Sequence, residues 1–174
     1  MSPDIPGGVR HILQTLADAG FEAHLVGGCV RDLLRGVEPH DWDICTSARP
    51  EETEACFAGH RIIETGLKHG TVTVLEEGEP CEVTTYRTEG PYSDSRRPDY
   101  VEFVSSLEAD LARRDFTMNA IAMDLAGNVS DPFGGREDIQ AGLLRCVGEP
   151  ARRFREDGLR IMRALRFGAA LGCT

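Results

Sequence analysis

Apolar residues recur at helical spacing at Val9, Ile12, Leu13, Leu16 and Ala17, which predicts an amphipathic helix over residues 9–19 that Gly20 ends. A strand is predicted over residues 21–26, then a short helix over 29–35, a second strand over 43–46 and a helix over 51–57. Residues 71–75 and 81–86 alternate strictly between apolar and polar and flank Glu76-Glu-Gly-Glu-Pro80, a hairpin pattern. Residues 90–100, rich in Ser, Pro, Asp and Arg, read as a mobile loop. Beyond it the pattern predicts a helix over 111–120, a short hairpin over 121–129 around Ala126-Gly-Asn128, and a helix over 137–141. From Pro150 a long helix is predicted, with an apolar stripe at Leu159, Met162, Leu165 and Ala169. That stripe is more apolar surface than the edge of a small α/β body covers, so a longer protein is expected. Strands and helices intermixed in this way indicate an α/β (α+β) chain.

At 174 residues the chain can bury a real core as one domain, or one and a half. An apolar fraction of 41% and a charged fraction of 28% are ordinary for a globular chain. No apolar run approaches the roughly eighteen residues of a membrane helix. Met1-Ser-Pro-Asp-Ile-Pro6 lacks a basic region followed by an apolar one, so a cytoplasmic protein is expected rather than a secreted one. Six cysteines (29, 45, 56, 81, 146 and 173) form no Cys-x-x-Cys pair, which predicts buried thiols and no structural zinc. The net charge of −10 argues against a simple nucleic-acid-binding module. The charge is uneven: residues 151–174 carry +4, leaving −14 on residues 1–150. A basic C-terminal helix on an acidic body points to an anionic ligand held at that helix.

The candidate chemistry starts where the first strand meets Gly27 and Gly28. Adjacent glycines let the backbone approach a ligand closely, and the helix start that follows offers N–H groups suited to phosphate. About a dozen residues on, Asp41 and Asp43 stand at the opening of the second strand. Alternation puts them on one face, about 7 Å apart at roughly 3.3 Å per residue. Two such carboxylates beside a phosphate site suit a divalent cation that bridges to a nucleotide. Alone, the glycines read as a tight turn and the aspartates as a solvated loop; their order and proximity favour a nucleotide site.

Three further constellations carry chemistry. Glu82 presents a third catalytic carboxylate, beside Asp41 and Asp43, if its strand neighbours the aspartate strand, and is otherwise an exposed strand glutamate. Arg114, Asp115 and Asn119 fall within about one helical turn, with Asp115 and Asn119 sharing a face; a solvated helix face is the alternative. Asp157, Arg160, Arg163 and Arg166 recur every third residue. On a continuous helix Asp157 and Arg160 are neighbours, placed to read one base edge. Arg163 is placed for phosphate, and Arg166 lies far from Asp157, where a surface salt-bridge ladder is its alternative.

These residues fall in motifs that resemble the N-terminal part of bacterial, class II tRNA nucleotidyltransferases, the CCA-adding enzymes, relatives of the poly(A) polymerases. The resemblance covers roughly residues 9–172 and rests on Gly27-Gly-Cys-Val-Arg-Asp32, Asp41-Trp-Asp43, Thr65-Gly-Leu-Lys-His-Gly-Thr-Val-Thr73, Glu82-Val-Thr-Thr85, Arg96-Arg-Pro98, Arg113-Arg-Asp-Phe-Thr-Met-Asn-Ala120, Asp131-Pro-Phe-Gly-Gly135 and Glu156-Asp-Gly-Leu-Arg160. It implies a nucleotidyltransferase-type mixed-sheet head flanked by helices over residues 1–148, and the start of a helical neck over 149–174. It further implies Mg²⁺ on Asp41 and Asp43, the triphosphate at Gly28 and Arg31, and the ribose near Arg114, Asp115 and Asn119. Asp157 and Arg160 would template cytosine or adenine, with Arg163 and Arg166 completing the site, and the loop at Arg96 and Arg97 would assist the switch from C to A. The implied partners are the tRNA 3′ end, CTP and ATP, with no membrane. Addition of CC alone or A alone, polyadenylation, and a non-catalytic nucleotide-binding module are the alternatives. A phosphohydrolase built on His40-Asp41 needs further grouped histidines, and His11, His24, His60 and His69 are scattered along the chain.

Overall fold

The computed structural model describes residues 4–174. Its strands are β1 (Ala23–Val26), β2 (Trp42–Thr46), β3 (Arg61–Gly66), β4 (Thr71–Glu76), β5 (Glu79–Thr85), β6 (Arg87–Glu89), β7 (Val101–Phe103), β8 (Ala122–Met123) and β9 (Val129–Ser130). The helices are α1 (Gly7–Asp18), α2 (Gly28–Leu34), α3 (Pro50–Cys56), α4 (Leu107–Ala112), α5 (Gly135–Ala141), α6 (Pro150–Glu156) and α7 (Leu159–Leu171). Seven strands form one mixed sheet in the order β3-β4-β5-β2-β1-β8-β9, and β6 pairs with β7 in a separate ribbon. Within the larger sheet β2 and β5 run parallel, and the other pairs run antiparallel.

The periodicities explain the layering. The stripe of α1 (Val9, Ile12, Leu13, Leu16) is buried against Leu25, Ile44, Val72, Val74 and Val83 on one face of the sheet. The opposite face packs Val26, Cys45 and Tyr86 against Leu111, Ala120 and Val147. Alternation along β2 therefore sends Trp42 and Ile44 to the first face and Asp43 to the second. The hairpins expected at 71–86 and 121–129 both form, as β4–β5 and β8–β9. All six cysteines are free thiols, four of them buried.

Several expectations need correction. Residues 111–120 are not one helix. α4 ends at Ala112, and after an extended Phe116 a 3₁₀ turn spans Thr117–Asn119, because the buried carboxylate of Asp115 accepts from the Phe116 N–H at 2.8 Å in place of a helical carbonyl. The long helix from Pro150 is two helices broken at Asp157-Gly158, where Asp157 is extended (φ −141°, ψ 107°). Ser95 O accepts from Gly158 N at 2.9 Å, and Asp157 Oδ1 accepts from Leu159 N at 2.9 Å, so the break is held from both sides. The stripe of α7 faces outward, with Leu159, Met162 and Leu165 at 45%, 62% and 64% exposure, while Phe167 turns inward against Phe116. β3 and the β6–β7 ribbon are strands that the periodicity did not announce.

Candidate functional site: a cleft between the sheet and the C-terminal helices

Gly27 ends the β1 turn at φ +78°, a backbone setting that disfavours any side chain, and starts α2. From α2 comes Arg31. Asp32 grips it bidentately (Nε–Oδ1 2.9 Å, Nη2–Oδ2 3.0 Å), and its Nη1 donates to Asn119 Oδ1 at 3.0 Å. Asn119 Nδ2 in turn reaches Asp115 Oδ1 at 3.5 Å, and Asp115 Oδ2 accepts from Arg163 Nε on α7 at 2.7 Å. One polar chain thus runs from α2 through the 3₁₀ turn to the C-terminal helix. The pairing of Asp115 with Asn119 survives the loss of the helix that predicted it.

Asp41 stands immediately before β2 and Asp43 is its second residue. They share a cleft of about 510 Å³ with Gly27, Gly28, Arg31, Arg113, Arg114, Asp115, Asn119, Asp157, Arg160, Arg163, Arg166 and Phe167. Glu82 does not line this cleft. It is the parallel-ladder partner of Asp43, so its strand does neighbour the aspartate strand, and it borders an adjoining pocket with Thr71, Arg87 and Arg97. Burial, reinforced by the charge of Glu82 and less by Asp41, pushes the Asp43 carboxyl up to about 6 against the pull of Arg114. Arg114 is fixed by Asp110, a fully buried carboxylate on α4 that also holds Arg113 (2.9 Å and 3.1 Å). Burial opposes ionisation of Asp110, but the guanidiniums of Arg114 and Arg113 outweigh it and keep its carboxyl below the ordinary value.

Asp157 and Arg160 both line the cleft, but not as neighbours on one helix. Arg160 is buried and donates from Nη1 to Glu156 Oε2 at 2.7 Å and to Arg153 O at 3.0 Å. Its guanidinium also lies 5.6 Å from the ring of Tyr92, in the loop of residues 90–100. Because Asp157 leaves the helix, Arg166 is not on a far side from it: both border the cleft. Sequence reasoning gave no role to Arg113 or Phe167. Phe167 carries the guanidiniums of Arg31, Arg163 and Arg166 at 5.4, 5.6 and 5.1 Å from its ring centre. Its position four residues after Arg163 and next to Arg166 was the available signal.

Residues 23–145 match the Poly A polymerase head domain. The chain belongs to that family. It is 56% identical over 169 residues to the CCA-adding enzyme of Lactobacillus helveticus (strain DPC 4571), an alignment that covers 97% of this chain and 42% of the relative. Its structure is similar to the Bacillus stearothermophilus CCA-adding enzyme in complex with CTP (TM-score 0.86, 51% identity, 95% of this chain and 39% of that one). It is also similar to the Thermotoga maritima CCA-adding enzyme complexed with tRNA (TM-score 0.76, 27% identity, 95% and 38%). The chain therefore spans about two-fifths of the length of these relatives. Nucleotidyltransferases of this family generally use a divalent metal. The donor set here suits one: two carboxylates on one wall of a cleft otherwise rich in arginine. No helix among the described residues is long and apolar enough to cross a membrane.

Proposed function

We propose that this chain is the nucleotide-transfer head of an enzyme that adds C and A to tRNA 3′ ends from CTP and ATP, releasing pyrophosphate. The observation that carries the reading is the convergence in one cleft of Asp41, Asp43 and Arg31 with Asp157, Arg160, Arg163 and Arg166. Residues 1–148 would form the head, and residues 149–174 the start of a helical neck. The cation would be Mg²⁺, held by Asp41 and Asp43, and the site of action the cytoplasm. When bound, it would polarise the α-phosphate, lower the pKa of the attacking 3′-hydroxyl and neutralise the charge that develops on pyrophosphate.

The chain's own residues would do the rest. The backbone at Gly28 and the guanidinium of Arg31 would hold the triphosphate, Arg31 already being oriented by Asp32 and Asn119. Arg114, Asp115 and Asn119 would set the ribose. Asp157 offers only acceptors and Arg160 only donors. Together they complement the amino group and ring nitrogen that cytosine and adenine share in pattern, and oppose uracil and guanine. Arg163 and Arg166, gathered on Phe167, would complete the phosphate contacts. Glu82 acts on Asp43 across the ladder and is assigned as a positioning carboxylate for the catalytic pair. The loop bearing Arg96 and Arg97 meets Arg160 through Tyr92 and Gly158, the residue after Asp157, through Ser95 O, which supports a part for it in nucleotide choice. The test is incorporation by the full-length gene product on tRNA lacking its 3′ end, first with CTP alone and then with both nucleotides. Addition of CC and then A supports the reading; arrest after CC, or A addition only to a CC end, would assign one half of the task.

A further inference from the structure

His11 on α1, His60 in the turn between α3 and β3, and Glu76 at the end of β4 are far apart in the chain, and the fold brings them together. One donor atom from each lies within 4.8 Å of the others. His60 Nε2 is 3.1 Å from Glu76 Oε2, and His11 Nδ1 is 3.6 Å from Glu76 Oε1. The two rings meet edge to face at 5.9 Å. The site lies on the side of the sheet covered by α1 and α3, and none of its residues borders the aspartate cleft.

The cluster is built rather than incidental. His60 stands edge-on to Phe57, a fully buried ring, at 5.6 Å, which fixes the imidazole. Gly8 lets α1 approach β4 closely, since a Cβ there would lie 3.1 Å from the Glu76 carbonyl oxygen and 3.2 Å from its Cγ. The Glu76 side chain is only 14% exposed, and its Oε2 has no hydrogen-bond partner among the described residues, its approach to His60 lacking hydrogen-bond geometry. A buried carboxylate oxygen without a donor is costly, and a cation would satisfy it. His11, 53% exposed, leaves an open side to solvent.

We propose that His11, His60 and Glu76 form a transition-metal site of the zinc class, with water in the remaining position. Two imidazoles and one carboxylate suit Zn²⁺, Co²⁺ or Ni²⁺, whereas Mg²⁺ demands oxygen donors. Ligand bonds of about 2.0–2.1 Å place the donor atoms of a tetrahedral site about 3.3 Å apart. Each imidazole already lies near that distance from one carboxylate oxygen, His60 at 3.1 Å from Oε2 and His11 at 3.6 Å from Oε1, and the three donors lie within 4.8 Å of one another, so modest closure around the ion would complete the set. Such a site would tie α1, the α3–β3 turn and the end of β4 into one unit, independently of the chemistry at Asp41 and Asp43.

The test is calorimetric titration of the protein with Zn²⁺, beside thermal melting with and without Zn²⁺, for the unsubstituted chain, His11→Gln, His60→Gln and Asp41→Asn. A Zn²⁺ bound at the histidine cluster is expected: a melting rise on addition, and a binding step that weakens at least tenfold in both histidine variants and persists unchanged in Asp41→Asn, whatever further Zn²⁺ the aspartate cleft takes up. Should His60→Gln fail to fold, His11→Gln, at an exposed position, carries the comparison. Zn²⁺ binding that is equal in the unsubstituted chain and the histidine variants, lost only in Asp41→Asn, or absent throughout would overturn the site and leave the three residues as an ion-paired cluster.

Discussion

Asp43 and Glu82 face each other across the parallel β2–β5 ladder, and burial, reinforced by the charge of Glu82, raises the Asp43 carboxyl to about 6. Between the ordinary aspartate value of 3.8 and about 6, the folded chain holds a proton that the unfolded chain has released. Stability without metal therefore falls as pH rises through that window. Asp43→Asn should gain on the order of 2–3 kcal/mol of stability at pH 8 and nothing below about pH 4, since one pKa unit corresponds to about 1.4 kcal/mol. Urea denaturation in EDTA at the two pH values measures this. Glu82→Gln should move the same titration down toward the ordinary carboxylate range.

Asp110 holds two guanidiniums from a fully buried position and also accepts from the Arg87 N–H at 3.1 Å. Asp110→Ala should cost roughly 3–5 kcal/mol, because it leaves Arg114 buried without its counter-charge. Chemical denaturation of the variant, followed by nucleotide binding on whatever folded fraction remains, reads both consequences.

The candidate site was legible wherever its residues lie close in sequence and the backbone between them is regular. Gly27-Gly28, Asp41 and Asp43 could be read because each pairing rests on strand period or turn chemistry alone. The arrangement of Asp157 with Arg160 could not, because the break at Gly158 is set by Ser95, a residue of a distant loop. Nor could the end of the 111–120 helix, which the buried Asp115 carboxylate decides. β3 was missed because Arg61-Ile-Ile-Glu lacks alternation and its pairing with β4 carries a register shift between Ile63 and Gly66. The neighbourhood of Glu82 and Asp43 is a matter of strand order, which periodicity does not encode.

Base choice gives the next expectation. Asp157→Ala or Arg160→Ala should relax discrimination against UTP and GTP by about tenfold or more, since a hydrogen bond to a charged group is worth roughly 1.5–3 kcal/mol. Arg160→Ala also frees Tyr92 and Glu156, so its effect should be the larger. Competition assays with all four nucleotides give the ratios; a fall in total rate at constant ratio would restrict both residues to positioning.

Charge predicts what this chain grips. Residues 1–150 carry −14 and the chain has a single lysine, Lys68. Of its C-terminal arginines, Arg160, Arg163 and Arg166 line the cleft. The 174-residue chain should bind CTP with Mg²⁺ but hold tRNA weakly. Titration of labelled tRNA at about 50 and 200 mM salt, the range over which phosphate-driven binding weakens steeply, checks this.

If Asp41 and Asp43 carry the transfer, turnover requires both carboxylates. The direct measurement is metal-dependent incorporation of CMP into tRNA lacking its 3′ end by the full-length protein, with Asp41→Asn and Asp43→Asn beside it. Loss of turnover in both variants, with melting in EDTA unchanged for Asp41→Asn and raised for Asp43→Asn, is the predicted result. Turnover retained in either variant would contradict the account.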